Sequence, residues 1–297
     1  MPELPEVETV RVGLQRLIVG RTIRDVRHDT PKSFPNSVED TNAFLSGASV
    51  RKVQRRGKVL IIDLSTDYSL VIHLKMTGQL VFVDNHALQT DRQRFGAGHP
   101  NESLVGALPD KSTRVTLIFD DGSTLYFNDQ RKFGWMRLMP TVEVPEIDFF
   151  KRLGPEPLQS TFTTAFFTKR IMRRHKSRIK AVLLDQTVIA GIGNIYADES
   201  LWAAKIHPET RVERISKAKI RALHQAIVDV LRLSIEKGGS TDKNYVNAEG
   251  KRGSYIQFAK VFRKEGQACE RCGTTILKMR SAGRGTHICP KCQRVVK

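Results

Sequence analysis

The chain has 297 residues and a formal net charge of +18, with 49 Lys and Arg against 31 Asp and Glu. This length predicts one or two domains, and no apolar run approaches the roughly 18 residues that a membrane-spanning helix needs. Three glutamates among the first eight residues are unlike the basic and apolar regions of a secretory signal, so we expect a soluble cytoplasmic protein.

The excess positive charge lies entirely in the C-terminal half. Residues 1–150 carry 19 basic and 19 acidic side chains, whereas residues 151–297 carry 30 basic and 12 acidic ones. An ordinary solvated surface seldom has so large a surplus of one sign. The asymmetry therefore favours a polyanionic partner, and a nucleic-acid phosphate backbone is the simplest one.

The N-terminal half predicts one helix followed by a mostly antiparallel β-sandwich. Apolar residues recur at helical spacing over 5–18, and glutamates stand in the first turn, where the helix dipole favours carboxylates. Short β-branched runs separated by turn signals predict strands at 21–27, 58–64, 69–75, 78–83, 114–119 and 124–128. Residues 84–112 form a long polar stretch without clear periodicity, and the role of that stretch stays open.

The C-terminal half predicts helices after a Pro-rich segment at 141–157, which we interpret as an interdomain linker. Apolar residues at helical spacing predict helices over 161–173, 176–185, 195–204 and 216–236. The basic run at 169–180 is interpreted either as a solvated helix face or as a source of nonspecific attraction for a polyanion.

All four cysteines lie near the C-terminus in two pairs, with 16 residues between the pairs. The pairs are Cys269-x2-Cys272 and Cys289-x2-Cys292, a spacing typical of a four-thiolate zinc site. Two disulfides are the alternative, but they belong to oxidising compartments, which nothing else in the sequence indicates. We predict one structural Zn²⁺, which supplies folding energy to an element with little core of its own.

A glycine-rich stretch precedes the predicted helix at 195–204. Gly191 and Gly193 permit a tight backbone turn, and we expect Asn194 to cap the helix and leave backbone N–H groups exposed to an anion. An ordinary turn is the alternative. The position of the stretch inside the basic half favours phosphate binding.

Three motifs in this order resemble those of the formamidopyrimidine-DNA glycosylase family of bacterial DNA-repair enzymes. They are PELPEVETV at 2–10, GIGNIYADE at 191–199 and CERCG with GRGTHICPKCQR within 269–294. The resemblance implies a bifunctional DNA glycosylase and abasic-site lyase that removes 8-oxoguanine and ring-opened purines. It also implies damaged double-stranded DNA as partner, a monomeric protein, and a bacterial cytoplasmic location on the nucleoid.

The resemblance implies an α+β fold with three structured parts. An N-terminal catalytic β-sandwich flanked by helices is expected over 1–140, and a helix-two-turn-helix domain over 158–262 after the linker. A zinc finger on a β-hairpin is expected over 263–297. Residues 238–255 resemble the lesion-capping loop of the family, and a flexible linker is the alternative interpretation.

The resemblance assigns the chemistry to the start of the chain. Removal of Met1 would leave Pro2 as a secondary amine that attacks the deoxyribose C1′ and forms an iminium. An α-amino group titrates near ~7.7–8.0, so a neutral fraction exists at physiological pH. Glu3 is implied to shuttle protons, and Lys58 to hold a phosphate beside the lesion or the lesion itself. Without the resemblance, these residues would read as a helix start and a solvated lysine.

A glycosylase turns the damaged nucleotide out of the stack, and the void has to be filled. By resemblance Met76 and Arg131 occupy the void, and Phe133 inserts beside the opposite strand. Met76 and Phe133 would otherwise read as core residues.

The resemblance also assigns contacts to the DNA backbone and to the lesion. Asn194 and Arg284 are implied to clamp the phosphates that flank the flipped nucleotide, and we group Arg284 with the catalytic residues. Tyr245 in the capping loop is implied to close over the everted base.

Two rival functions are weighed against this one. An endonuclease VIII-type glycosylase for oxidised pyrimidines uses the same amine chemistry, but PELPE, Met76 and the Arg-Lys-Phe at 131–133 argue against it. A noncatalytic nucleic-acid-binding zinc protein explains the charge and leaves Pro2, Glu3 and Lys58 without a role.

Overall fold

The computed structural model describes residues 2–84, 94–99, 102–104, 106–240 and 255–295. They form two compact units. The first unit contains the described residues of 1–151 and 237–254, and the second those of 152–236 and 255–297. No helix among the described residues is long and apolar enough to cross a membrane.

The first unit is an antiparallel β-sandwich with a long helix packed on it. Its helices are α1 (Leu4–Ile18) and α2 (Val38–Phe44). Its strands are β1 (Ile23–His28), β2 (Val50–Arg56), β3 (Val59–Leu64), β4 (Tyr68–His73), β5 (Gly78–Val83), β6 (Arg94–Gly98), β7 (Thr113–Phe119), β8 (Thr124–Asp129) and β9 (Trp135–Pro140). Short 3-10 turns lie at Glu102–Leu104 and Thr141–Glu146.

The strands form two sheets around one core. One sheet has the order β1-β7-β8-β5-β6 and the other β2-β3-β4-β9, and every pairing within them is antiparallel. Helix α1 begins with Pro5 and Glu6 in its first turn and contributes Val10 and Leu14, both fully buried, to that core. The predicted helix and the six predicted strands are confirmed to within a few residues.

The sequence patterns do not predict four elements of the first unit, which are α2, β2, β6 and β9. Strand β2 carries only two buried apolar side chains, Val50 and Val53, among charged residues, and β6 contains two glycines. Each of these strands obtains its backbone hydrogen bonds from neighbours in the sheet, so its own apolar alternation can be weak.

The second unit is helical and ends in a β-hairpin. Its elements are α4 (Thr164–Met172), α5 (Ile179–Leu184), α6 (Asn194–Ala203), a 3-10 turn at Val212–Arg214, α7 (Lys217–Glu236), α8 (Tyr255–Phe258), β10 (Leu277–Ser281) and β11 (Arg284–Ile288), and the short helix α3 (Asp148–Arg152) lies at the boundary between the units. The four predicted helices are confirmed, and their apolar faces bury Phe167, Tyr196, Leu223 and Ile227 completely.

Candidate active site and zinc element

Helix α1 runs antiparallel to β2, so the start of the chain lies at the end of the sandwich where β2 turns into β3. Three contacts fix this direction: Arg55 Nε donates to Glu8 Oε2 at 2.8 Å, Val53 N–H donates to Gln15 Oε1 at 2.8 Å, and Gly20 N–H donates to the Val50 carbonyl at 2.8 Å. Pro2 and Glu3 precede Glu8 and therefore lie beyond Arg55, beside the β2–β3 turn.

The start of α1 is held in place rather than frayed. Pro2 is buried, and Glu3 and Glu6 are 4% and 6% exposed. The Glu3 N–H donates to Glu6 Oε2 at 2.8 Å, while Glu6 Oε1 accepts the Ser240 N–H at 2.7 Å. Glu6 therefore joins the helix start to the first residues of the predicted capping loop. Tyr245 lies outside the described residues.

Lys58 occupies the tight β2–β3 turn and is only 6% exposed. The preceding Gly57 has φ +60°, a conformation that favours glycine. Its carbonyl accepts a hydrogen bond from Arg55 Nη1 at 2.8 Å. Arg55 also pairs with Glu8, and its side chain is 9% exposed. Arg55 is therefore not a solvated surface charge, because it fixes the turn that carries Lys58.

Burial acts on two titratable side chains near this turn, Glu8 and His73. Burial opposes ionisation of Glu8, but hydrogen bonds from Arg11 and Arg55 outweigh it and lower the pKa of Glu8. Burial also lowers the pKa of His73 to about 3, with the charges of Lys75 and Lys58 contributing. His73 Nδ1 accepts the Lys75 N–H at 3.0 Å, so the neutral ring carries its proton on Nε2. Sequence reasoning missed His73, whose signal is a histidine at the end of a predicted strand.

Strand register brings two further connections to the same end of the sandwich. In the four-stranded sheet, Val59 pairs with His73, which pairs with Trp135. In the five-stranded sheet, Gly78 pairs with Asp129. The segments 74–77 and 130–134 therefore cross side by side from one sheet to the other, next to the turn that carries Lys58.

These two crossing segments present the predicted void-filling residues. Met76 is 38% and Phe133 46% exposed, so neither belongs to the core, where their residue types alone would place them. Arg131 is exposed, and its guanidinium lies 4.9 Å from the centroid of the Phe133 ring. The end of the sandwich thus combines a buried chain start, a buried lysine and exposed apolar and cationic side chains.

In the second unit, Asn194 and the hairpin residue Arg284 belong to neighbouring segments. Asn194 Nδ2 donates to the Gly285 carbonyl at 2.9 Å, and Arg284 is exposed directly after the β10–β11 turn. The N-cap of α6 is Gly193, with no side-chain cap, and Asn194 is the first helical residue. The expected capping role of Asn194 is therefore wrong, because its side-chain amide donates a hydrogen bond to the hairpin instead.

A buried ion pair ties the helices of this unit to the hairpin. Lys180 Nζ lies 2.7 Å from Asp198 Oδ1, and both side chains are fully buried. Lys180 also donates to the Thr286 hydroxyl, and Asp198 Oδ2 accepts the His287 N–H at 2.9 Å. The basic run at 169–180 is therefore not a uniform surface face, because its last lysine belongs to the interior.

The four cysteines converge as a ligand set. Their sulfur atoms all lie within 4.8 Å of one another, and Cys272 Sγ is 3.4 Å from Cys289 Sγ and 3.5 Å from Cys292 Sγ. A tetrahedral zinc with Zn–S bonds of ~2.3 Å separates its sulfurs by about 3.8 Å. None of the four is in a disulfide. The donor set fits one structural zinc, held by Cys269, Cys272, Cys289 and Cys292.

Three family models match the chain in succession. The formamidopyrimidine-DNA glycosylase N-terminal domain matches residues 1–136, the H2TH domain of the same enzymes matches 153–245, and a zinc finger found in FPG and IleRS matches 266–295. The zinc-finger match agrees with the cysteine geometry. The first two matches together cover more than half of the chain.

Individual relatives agree with these matches over the full length. A formamidopyrimidine-DNA glycosylase of Streptococcus thermophilus is 41% identical over 296 residues, covering 99% of this chain and 100% of the relative. Lactococcus lactis Fpg in complex with an abasic-site-containing DNA is 36% identical with a TM-score of 0.84, covering 98% and 99% of the two chains. The wild-type Lactococcus lactis enzyme in complex with a DNA containing N7-benzyl-Fapy-dG is 36% identical with a TM-score of 0.83, covering 99% of this chain and 100% of that chain. The chain belongs to the formamidopyrimidine-DNA glycosylase family.

Proposed function

We propose that this protein excises oxidised purines, 8-oxoguanine and formamidopyrimidines, from double-stranded DNA and then cleaves the abasic strand, with Pro2 as the nucleophile. The observation that carries the proposal is the convergence, at one end of the sandwich, of the buried start of α1, buried Lys58 and exposed Met76 and Phe133. The protein would act as a monomer on chromosomal DNA in the bacterial cytoplasm.

The first chemical step uses the amine that removal of Met1 would expose. The Pro2 nitrogen forms a bond to the deoxyribose C1′ as the bond from C1′ to the damaged base breaks, and the base leaves with a proton. Opening of the sugar ring then breaks the C1′–O4′ bond and gives an iminium between Pro2 and the sugar. A secondary amine reaches this cation without losing a second proton.

Glu3 is placed to move the protons that this sequence requires. Its backbone is fixed as the N-cap of α1, directly after the nucleophile, and its side chain is 4% exposed. It would deliver a proton to O4′ as the ring opens and remove one from C2′ as the 3′ phosphate leaves. Loss of a C4′ proton then eliminates the 5′ phosphate, and water hydrolyses the iminium, which releases the sugar fragment and regenerates the Pro2 amine.

Lys58 supplies fixed positive charge beside this chemistry. Its turn is held by Arg55, and a lysine with 6% exposure has little water to screen it, so its attraction for a phosphate is stronger than that of a surface lysine. We assign to Lys58 the phosphate next to the flipped nucleotide.

Met76, Arg131 and Phe133 would occupy the space left in the duplex. The exposure of Met76 and Phe133 supports this, because large apolar side chains in solvent need a partner surface such as a base step. The Arg131 guanidinium, already beside the Phe133 ring, can make the bidentate contacts that identify an orphaned cytosine. Asn194 and Arg284 would grip the backbone phosphates from the second unit.

Release of 8-oxoguanine from a defined duplex tests the enzymatic function. The wild-type chain should release the base and cleave the strand, whereas Glu3→Gln should lose about 100- to 10,000-fold in rate while binding the duplex normally. Glu39→Gln, an exposed carboxylate in the first turn of α2, is the matched control and should behave as wild type. A wild-type protein that binds damaged DNA and releases no base would instead indicate the noncatalytic alternative.

A further inference from the structure

We infer that Asp129 is a positioning residue that sets the two void-filling segments, 74–77 and 130–134, as one unit before DNA is bound. The inference rests on the proposed function. It deepens that function by naming a group that contacts neither the lesion nor the reacting atoms and acts through Met76, Arg131 and Phe133.

The carboxylate of Asp129 is fully buried and accepts hydrogen bonds from both segments. Its Oδ2 accepts the N–H groups of Phe133 at 2.8 Å and Gly134 at 2.6 Å. Its Oδ1 accepts the Arg131 N–H at 3.2 Å and the hydroxyl of Thr77, the residue after Met76. Four donors from two segments therefore converge on one side chain.

The backbone around Asp129 is shaped to permit this convergence. Lys132 has φ +54°, which curls the turn around the carboxylate. A Cβ added at Gly134 would lie 3.0 Å from Asp129 Oδ2 and 2.8 Å from Phe127 Cζ, so glycine is needed for this close approach. Thr77 also accepts the Arg131 N–H through its hydroxyl oxygen at 3.2 Å, which closes a small ring of hydrogen bonds across the two segments.

An ionised carboxylate suits this task better than an amide does. Both of its oxygens are acceptors, whereas an asparagine would place its NH₂ group against at least one backbone N–H donor in either orientation of the amide. Charge-assisted hydrogen bonds are also stronger than neutral ones. Because the two segments are ordered by folding, the duplex does not have to order them when the lesion leaves the stack, and this ordering cost is removed from the binding step.

The test compares two substrates that differ in their need for void filling. Excision of 8-oxoguanine from a duplex requires the void to be filled, whereas cleavage of a single-stranded oligonucleotide at a preformed abasic site does not. Asp129→Asn should lose about 10- to 100-fold in duplex excision, the range expected for leaving buried donors unsatisfied, and keep single-strand cleavage within about twofold. Its preference for cytosine over adenine opposite the lesion should fall as well.

Asp121→Asn is the matched control, because Asp121 accepts the N–H and hydroxyl of Ser123 in the turn at the opposite end of β8. It should leave both activities unchanged. Thr77→Val, which removes only the link between the two segments, should give a smaller loss of the same selective kind and keeps the inference testable if Asp129→Asn does not fold.

The combination Asp129→Asn with Arg131→Ala should lose less duplex excision than the product of the two single fold-losses, because Arg131 is one of the three residues through which Asp129 acts. Equal loss of both activities in Asp129→Asn and Thr77→Val, no loss in either activity, or additive losses in the double variant would overturn the inference. A wild-type protein without duplex excision would instead count against the proposed function itself.

Discussion

Replacing Lys180 by Met should destabilise the second unit by about 3–5 kcal/mol, the usual cost of leaving one member of a buried ion pair alone. Lys180 Nζ lies 2.7 Å from Asp198 Oδ1, and both side chains are fully buried. Without the ammonium, Asp198 Oδ2 still accepts a hydrogen bond from the backbone N–H of His287 at 2.9 Å. This uncharged donor cannot balance a charge removed from water.

A double variant separates the ion pair from the packing around it. Lys180→Met combined with Asp198→Leu removes both charges of the pair, and such replacements are often neutral or stabilising. The lost acceptor for His287 costs about 1–3 kcal/mol, so the double variant should be more stable than Lys180→Met alone. Lys176→Met, an exposed lysine in the same basic run, is the control and should change stability by less than about 0.5 kcal/mol.

Urea unfolding of the zinc-bound protein measures these differences. The chain has two tryptophans, one in each unit, so a Trp135→Phe background leaves Trp202 as the fluorescent reporter of the second unit. Equal midpoints for Lys180→Met and Lys176→Met, or a double variant less stable than Lys180→Met, would show that an unpaired Asp198 carboxylate does not destabilise the second unit.

Three further outcomes follow from the site. The protein should contain one zinc, and Cys289→Ser should abolish DNA binding while the sandwich stays folded; elemental analysis that finds active protein free of metal contradicts this. The pKa of His73 is lowered from 6.5 to about 3, so its neutral form contributes stability that is complete above about pH 6.5 and lost as pH falls toward 3. Between pH 7 and pH 5 the wild type should therefore lose about 2 kcal/mol of unfolding free energy more than His73→Gln, and equal losses would count against this burial. Arg131→Ala should reduce the preference for cytosine opposite the lesion by the equivalent of about 1–3 kcal/mol, whereas Arg51→Ala, an exposed arginine at the start of β2, should not.

Much of the fold follows from local patterns. The helical spacing of Val10 and Leu14 predicts α1, and β-branched runs predict six strands, because in each case the residue pattern itself reports the buried face. Strand β9 fails this test. It is placed by its pairing with β4, a long-range contact that its own residues do not encode.

The candidate site also contains both residues that the sequence predicts and residues that only the structure identifies. Cysteine spacing predicts the metal ligands, since the pairs are local, and resemblance supplies Pro2, Glu3 and Lys58. The supporting groups were not predictable. Asp129 meets a hydroxyl 52 residues away, and Lys180 meets one 106 residues away, so only the folded chain distinguishes them from ordinary charged residues.

The role of the Pro2 amine as nucleophile is tested by chemical reduction of the covalent intermediate during turnover. Borohydride should join the protein irreversibly to damaged DNA, and mass spectrometry of the digested complex should find the nucleotide on a peptide that begins at Pro2. A protein extended by residues ahead of Pro2 has an amide at this nitrogen, so it should bind DNA without trapping or excision. A cross-link on Lys58, or active enzyme that yields no cross-link, would rule out Pro2 as the nucleophile.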